Sequence, residues 1–334
     1  MATIRDVAAA AGVAPSTVSY ILRGKKRYPA ATVERVMASI AELGYRPDSA
    51  ARALALGRTN ILGFLASVNI GAPDADIDIF MRFMRAALYA ARPRGYDVLA
   101  MGRGEDELQG DVLADALVVM DILHADPRLP VLRGLGIPTV LIGNPPDSLG
   151  LSAVDLDFAG AAQKAVDRLA DLGHRQIVVM ATPDESDGRE FAYRRRFREA
   201  FLQRCESRSV QGLFIPCGLT RDAVGAWLDG VQTRLPQVSG VVVMAVGVLD
   251  LLLEELARRN RVVPDDLSLL ALAPAEDFAR SFPAISVLDI PGHQMVDVAV
   301  NRALDELGGA APGVLELVPT TFHDRGSLAS RSPR

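Results

Sequence analysis

Nine cationic side chains crowd the first sixty residues: Arg5, Arg23, Lys25, Lys26, Arg27, Arg35, Arg46, Arg52 and Arg58. They face only Asp6, Glu34, Glu42 and Asp48. The whole chain carries −5, so a head at +5 leaves residues 61–334 at −10. Cations gathered on a small part of an acidic protein suit a polyanion, and phosphate is the obvious one. Among them lie groups that can donate to or accept from base edges: Ser16, Thr17, Ser19, Tyr20 and Arg23. At helical spacing, Ser16, Tyr20 and Arg23 point away from the apolar side. Chemistry of bond making is harder to find. His124, His174, His293 and His323 are scattered, and no phosphate loop, dinucleotide fingerprint, zinc-protease or nucleophile-elbow pattern occurs. The expectation is a protein that binds rather than catalyses, with no cofactor and no metal. Cys205 and Cys217 lack the close spacing of a metal or redox pair and fit a reducing cytoplasm.

Three helices must position the basic head. Ile4, Val7 and Ala8 recur at helical spacing, and Gly12 can end that helix by turning left-handed. Small Ala8 and Ala11 admit a close neighbour. Pro15 suits the first turn of the second helix, where its missing N–H costs nothing. Val18, Ile21 and Leu22 are the expected apolar face. A third helix is expected over 31–43, with Val33, Val36, Ile40 and Leu43 turned inward and Gly44 as its stop. In a helix-turn-helix the second helix enters the major groove and reads bases with its N-terminal residues.

The run Ile4-Arg5-Asp6-Val7-Ala8, then Ala11-Gly12-Val13, Ser16-Thr17-Val18-Ser19 and Leu43-Gly44-Tyr45-Arg46-Pro47, closely resembles the LacI family of bacterial transcriptional regulators. The likeness implies that Pro15, Ser16 and Tyr20 read bases, while Thr3, Thr17, Tyr45 and Arg46 lie near phosphates. Two positions depart from the pattern. Ala14 stands where relatives usually have a capping serine, a loss of about 0.5–2 kcal/mol. Tyr20 stands where Arg or His is common, so the outer bases of the target do not follow from the family. The segment Ser49-Ala50-Ala51-Arg52-Ala53-Leu54-Ala55-Leu56 resembles the family's hinge helix. It is too short to be stable alone and should order when two copies meet on DNA. By the same likeness Leu54 is the wedge that kinks the minor groove.

From residue 61 the pattern changes to short apolar runs between helical stretches. Strands are expected over 61–66, 96–100, 116–120 and 138–142 in one lobe, and over 176–180, 212–215, 241–244 and 267–272 in a second. Such alternation means parallel sheets covered by helices on both faces. The longest apolar run, 241–249, is far short of the ~20 residues that span a bilayer, and no secretory signal is visible at Met1-Ala2-Thr3. The expected fold is a small all-α helix-turn-helix head on an α/β body of two doubly wound parallel-sheet lobes, similar to periplasmic binding proteins. The expected domains are 1–47 for the head, 48–60 for hinge and linker, and 61–334 for the body. Lobe 1 takes about 61–156 and 291–317, and lobe 2 about 157–290 and 318–330.

Ligands in open α/β sheets bind beyond the carboxyl ends of the strands, here the cleft between lobes. Sugar-binding members of the family carry Asn-Asp after one lobe-2 strand and Phe-Asp-Asp after the next. This chain has Ala245-Val246 and Leu272-Ala273-Pro274. The family's cleft arginine falls on Tyr193, with Arg194, Arg195 and Arg196 beside it. Without those carboxylates a polyol loses hydrogen-bond partners on desolvation. Three readings stay open: a more apolar or anionic effector, a vestigial cleft, or control by a protein partner. Candidate cleft residues are Asn69, Asp76, Asp121, Asn144, Arg189, Tyr193, Val246 and Ala273. Asp74-x-Asp76-x-Asp78 lacks the glycine and glutamate of a calcium loop and is rejected. The arginine-rich run 189–204 reads as a solvated helix face. Taken together these expectations describe a cytoplasmic homodimeric repressor on a pseudopalindromic double-stranded DNA operator, with a small-molecule effector in the cleft and no membrane partner. The alternative is an architectural DNA-binding protein with no effector.

Overall fold

The structure, a computed structural model, describes residues 2–22, 28–45, 57–66, 74–102, 108, 112–181 and 190–331. It divides into two compact units, 1–60 and 61–334. Arg23, Arg46, Leu54, Asn69 and Arg189, and the expected hinge helix over 49–56, lie outside the described residues.

The head contains α1 (Ile4–Ala10), α2 (Pro15–Leu22) and α3 (Ala30–Leu43). Thr3 and Asp6 start α1 by exchanging bonds. The Asp6 amide donates to the Thr3 hydroxyl at 3.4 Å, and the Asp6 carboxylate accepts from the Thr3 amide at 2.8 Å. Two otherwise orphaned donors at the helix start are satisfied in this way. Gly12 (φ +63°) and Gly44 (φ +58°) take the left-handed turns that end α1 and α3, a conformation other residues enter at a cost. Val7, Ala8, Ala11, Val18 and Val36 are the buried centre, with Ile4, Val13, Ile21, Ile40 and Tyr45 packed around it. Leu22 and Leu43, expected to face inward, are instead exposed, because each sits in the last turn of its helix beyond the reach of this small core.

The body has two six-stranded sheets. In lobe 1 the order is β11-β5-β4-β3-β1-β2, built from β1 (Ile61–Leu65), β2 (Asp97–Met101), β3 (Ala116–Val119), β4 (Thr139–Ile142), β5 (Ser152–Leu156) and β11 (Leu315–Val318). In lobe 2 it is β12-β10-β9-β8-β6-β7, from β6 (Gln176–Ala181), β7 (Gln211–Pro216), β8 (Gly240–Val243), β9 (Ser268–Ala273), β10 (Ser286–Asp289) and β12 (Phe322–His323). Every described pairing is parallel except β10 with β12. Central strands β3, β4, β8 and β9 are buried throughout, as strands covered on both faces must be. The edge strands β2, β7 and β11 carry exposed residues instead.

The covering helices are α4 (Asp74–Ala91), α5 (Arg128–Gly134), α6 (Phe158–Asp171), α7 (Ala192–Ser207), α8 (Arg221–Arg234), α9 (Leu249–Arg258), α10 (Ala275–Ser281) and α11 (Gly292–Leu307). α11 packs against α4 and against β3, β4 and β5, so the chain returns to lobe 1 after completing most of lobe 2. It crosses between the sheets from β5 to α6, from β10 to α11, and from β11 to β12. One apolar cluster runs through these crossings, from Leu62 and Phe64 in lobe 1 to Ile177 and Val179 in lobe 2.

Candidate DNA-reading face and inter-lobe cleft

In the head, α2 is preceded by Ala14, whose carbonyl accepts from the amides of Thr17 at 2.9 Å and Val18 at 3.3 Å. A methyl group there leaves the first amides of α2 without the side-chain acceptor that a serine would supply. Pro15, Ser16 and Tyr20 are all exposed, and Thr17 is half-buried. Ser16 and Tyr20 lie on the side of α2 opposite Val18, which is fully buried. Thr3 is exposed, yet its hydroxyl also donates to the Asp6 carboxylate at 2.8 Å, so it serves the helix start first. Tyr45 packs its ring on the head core, and its amide closes α3 on the Ile40 carbonyl at 3.0 Å.

The cleft is bounded by the carboxyl ends of the strands of both lobes. After β3, Asp121 adopts φ +58°, turning the chain sharply. Arg128 holds this turn from below. Its guanidinium meets Asp126 at 2.7 Å and donates to the carbonyls of Met120 and Asp121 at 3.2 and 2.9 Å. Burial pushes the Asp126 carboxyl up, but the Arg128 contacts and the amides of Leu123 and Arg128 together bring it below the usual range. The ion pair is sealed from solvent, so the loop over 121–126 is rigidly presented to lobe 2.

Lobe 2 answers with residues 190–196. Leu123 and Phe191 form an antiparallel bridge. The His124 amide donates to the Glu190 carbonyl at 2.8 Å, and the Ala192 amide to the Ile122 carbonyl at 3.0 Å. Tyr193, half-buried, stacks on Phe191 at 5.6 Å and lies 5.0 Å from the Phe158 ring. One turn further along α7, Arg196 reaches into lobe 1. It donates to the Asp155 carboxylate at 3.2 Å and to the Asn144 carbonyl. Asp155 also accepts from the amides of Asn144 at 3.1 Å and Leu156 at 2.9 Å. Burial nevertheless dominates, and the Asp155 carboxyl is pushed up to about 7 against the opposing pull of Arg196 and the two amides.

Of the cleft candidates, Asp121, Asn144 and Tyr193 gather around this junction. Val246 lies half-buried in the short turn after β8. Ala273 is not on the cleft surface: it is fully buried at the end of β9, where its carbonyl accepts from Ile290 at 3.1 Å. The side chain of Asp76 is outside the described residues, although its backbone belongs to α4.

The arginine-rich run is also not the plain solvated face expected. Arg194 is 2% exposed and lies over the Phe214 ring, while Arg196 spans the lobes. Arg195, Arg198 and Arg204 pair with Glu199, Glu190 and Asp167. Sequence reasoning missed Leu123, Phe191 and the pairing of Arg196 with Asp155. The one signal available was an arginine run where relatives place a single cleft arginine.

A compact helix-turn-helix and a two-lobed body with a cleft at its strand ends define a DNA-binding regulator built on a ligand-binding scaffold. Residues 3–48 match the bacterial regulatory proteins of the lacI family, and residues 150–328 match the periplasmic binding protein-like domain. The transcriptional regulator CelR of Thermobifida fusca is 29% identical over 94% of this chain and 95% of its own. The transcriptional repressor PurR of Shigella sonnei is also 29% identical, over 92% and 91%. Among solved structures, the lac repressor dimer bound to operator and the anti-inducer ONPF aligns over 98% of this chain and 99% of its own. The TM-score is 0.81 at 19% identity. A CelR–cellobiose complex aligns over 98% and 100%, with a TM-score of 0.68 at 22% identity. The chain joins a lacI-family helix-turn-helix domain to a periplasmic binding protein-like domain, and its homologues are DNA-binding transcriptional regulators of the lacI family. These homologues are transcriptional regulators, not enzymes. Among the described residues no helix is long and apolar enough to cross a membrane.

Proposed function

We propose that this protein is a cytoplasmic, non-enzymatic repressor that binds a pseudopalindromic operator as a homodimer. The observation that carries the reading is the face of α2, where Pro15, Ser16 and Tyr20 are exposed together on a helix held by a fixed turn at Gly12. Two heads related by a two-fold axis read two half-sites about one helical turn apart, and the symmetry of the target follows from that of the protein. Leu54 and the segment around it spread the minor groove between them, while Thr17, Tyr45 and Arg46 anchor the phosphates.

Support for a body-mediated dimer comes from α4. Met81, Leu88 and Tyr89 are 55%, 49% and 66% exposed at helical spacing on one side of that helix. Apolar groups of this size in a row suit a partner surface better than water. The effector, where one acts, is not a sugar: Val246 offers no side-chain acceptor for hydroxyl groups. The second reading, a DNA-binding protein without an effector, draws on the same apolar position.

Selection of bound duplexes from a random pool tests the proposal. A two-fold symmetric consensus is the expected result, and retention of all sequences alike at moderate salt overturns it. Sedimentation of the full chain gives the dimer directly, and a monomer at micromolar concentration overturns that part.

A further inference from the structure

The contacts between the lobes are unusual in what they consume. A cleft poised for an effector keeps polar groups waiting at its strand ends. Here the Asp155 carboxylate and the Asn144 carbonyl of lobe 1 are already bonded by Arg196 of lobe 2. Further contacts point the same way. Within lobe 2, Tyr193 packs on Phe158 and on Phe191. Phe191 is itself bridged to Leu123, and the amides of His124 and Ala192 are spent across the same seam. The lobe-1 side of this seam is fixed by the buried Asp126–Arg128 pair.

We propose that Arg196 is a tethered occupant of the cleft. With the 122–124/190–192 bridge it clasps lobe 2 to lobe 1, so that lobe closure, and the DNA-binding state coupled to it, is set without a small-molecule effector. The inference rests on the reading of the chain as a DNA-binding regulator and concerns how its cleft is controlled. A guanidinium suits the task because it offers several donors in a plane, enough to engage a carboxylate and a carbonyl together. A covalently attached occupant also loses no translational freedom on binding, unlike a diffusing effector.

The test uses the full chain carrying Leu113→Cys in lobe 1 and Val262→Cys in lobe 2, each labelled with a maleimide spin label. Both positions are exposed, at 63% and 53%, whereas the native Cys205 and Cys217 are buried. Inter-label distance is read by pulsed electron resonance, and affinity is read on the duplex selected by the wild-type protein. The clasp predicts one narrow distance distribution for the wild type, unchanged by cellobiose. It predicts longer, broader distances for Arg196→Ala, with operator affinity changed at least about fivefold. The double variant Asp155→Asn with Arg196→Met leaves no buried charge unpaired. It must give the same lengthening, and it replaces the single variant if that one does not fold. Unchanged distances in a folded variant overturn the clasp, as does a broad wild-type distribution that cellobiose narrows. If the wild type selects no duplex, the regulator reading fails, while the distances still judge the clasp.

Discussion

The head and the cleft treat their polar side chains in opposite ways. On α2, Ser16 and Tyr20 stand exposed on a scaffold whose turns and core are settled by short-range contacts. In the cleft, Asp155, Asn144 and Arg196 are engaged with one another across the two lobes, and Tyr193 is stacked on Phe191 within lobe 2. A surface that must meet DNA keeps its groups exposed, within reach of a base edge. A junction whose groups satisfy each other gives up that exposure and gains a defined geometry. The difference separates the part of the protein that recognises from the part that holds a shape.

The sharpest way to break the holding part is Asp126→Ala. It leaves the Arg128 guanidinium buried without its partner, and a loss of roughly 3–5 kcal/mol of body stability is expected in chemical denaturation. A change below about 1 kcal/mol would mean that the loop over 121–126 does not depend on the pair.

Next comes pH. The Asp155 carboxyl titrates at about 7 in the folded body against 3.8 when unperturbed. The folded state therefore holds an extra proton between those values, and its contribution to stability falls as pH rises from about 4 to 7. His174 acts in the other direction. It is buried and near the Arg331 charge, and its pKa is pushed down from 6.5 to about 4, so its contribution is lost as pH falls through that window. Each effect is on the order of 3 kcal/mol, and below pH 6.5 they oppose one another. In Asp155→Asn the His174 effect is no longer opposed by Asp155. Thermal melts of that variant should rise steadily from pH 4 to 6.5, where the parent changes little. Parallel curves for the two proteins would contradict the burial of Asp155.

The recognising part is sharpened by Tyr20→Ala, expected to relax preference at one position of each half-site by about 1–3 kcal/mol in a binding-site selection. Arg46→Ala should weaken all sequences alike and lower the salt dependence. The reverse pattern would exchange the two roles. The smallest effect is Ala14→Ser, which supplies the missing acceptor at the start of α2 and should stabilise the head by about 0.5–2 kcal/mol. An unchanged head melt would show that water already serves those amides.

Legibility in the sequence follows the range of the forces. Gly12, Gly44 and the periodic apolar positions of the head announce its helices, because capping and amphipathicity act within a few residues. The central strands announce themselves as unbroken apolar runs. β5, β10, β11 and β12 do not, for physical reasons. β5 contains Ser152 and Asp155, polar groups tolerable in a buried strand only because Glu306 and Arg196 meet them from far along the chain. β10 is bounded by Ser286 and Asp289, with only two apolar residues between them, and β12 has two residues. Leu315, Glu316 and Leu317 of β11 are all exposed, so it lacks the signature of a covered strand. The site divides in the same manner. The exposed face of α2 follows from helical spacing alone, whereas nothing near Arg196 in sequence indicates Asp155 as its partner.

The triple crossing between the sheets has a bearing on how the chain is made. Lobe 1 begins at residue 61 but is finished only by α11 and β11, at 292–318, after nearly all of lobe 2. While the ribosome is still translating the middle of the chain, the flank of lobe 1 that will hold Met295, Val296, Ala299 and Val300 stays bare, an invitation to chaperones or to aggregation. By the time α11 is made, lobe 2 lacks only its last segments, β12 among them, so the half encoded earlier stays open while most of the later half is already in place.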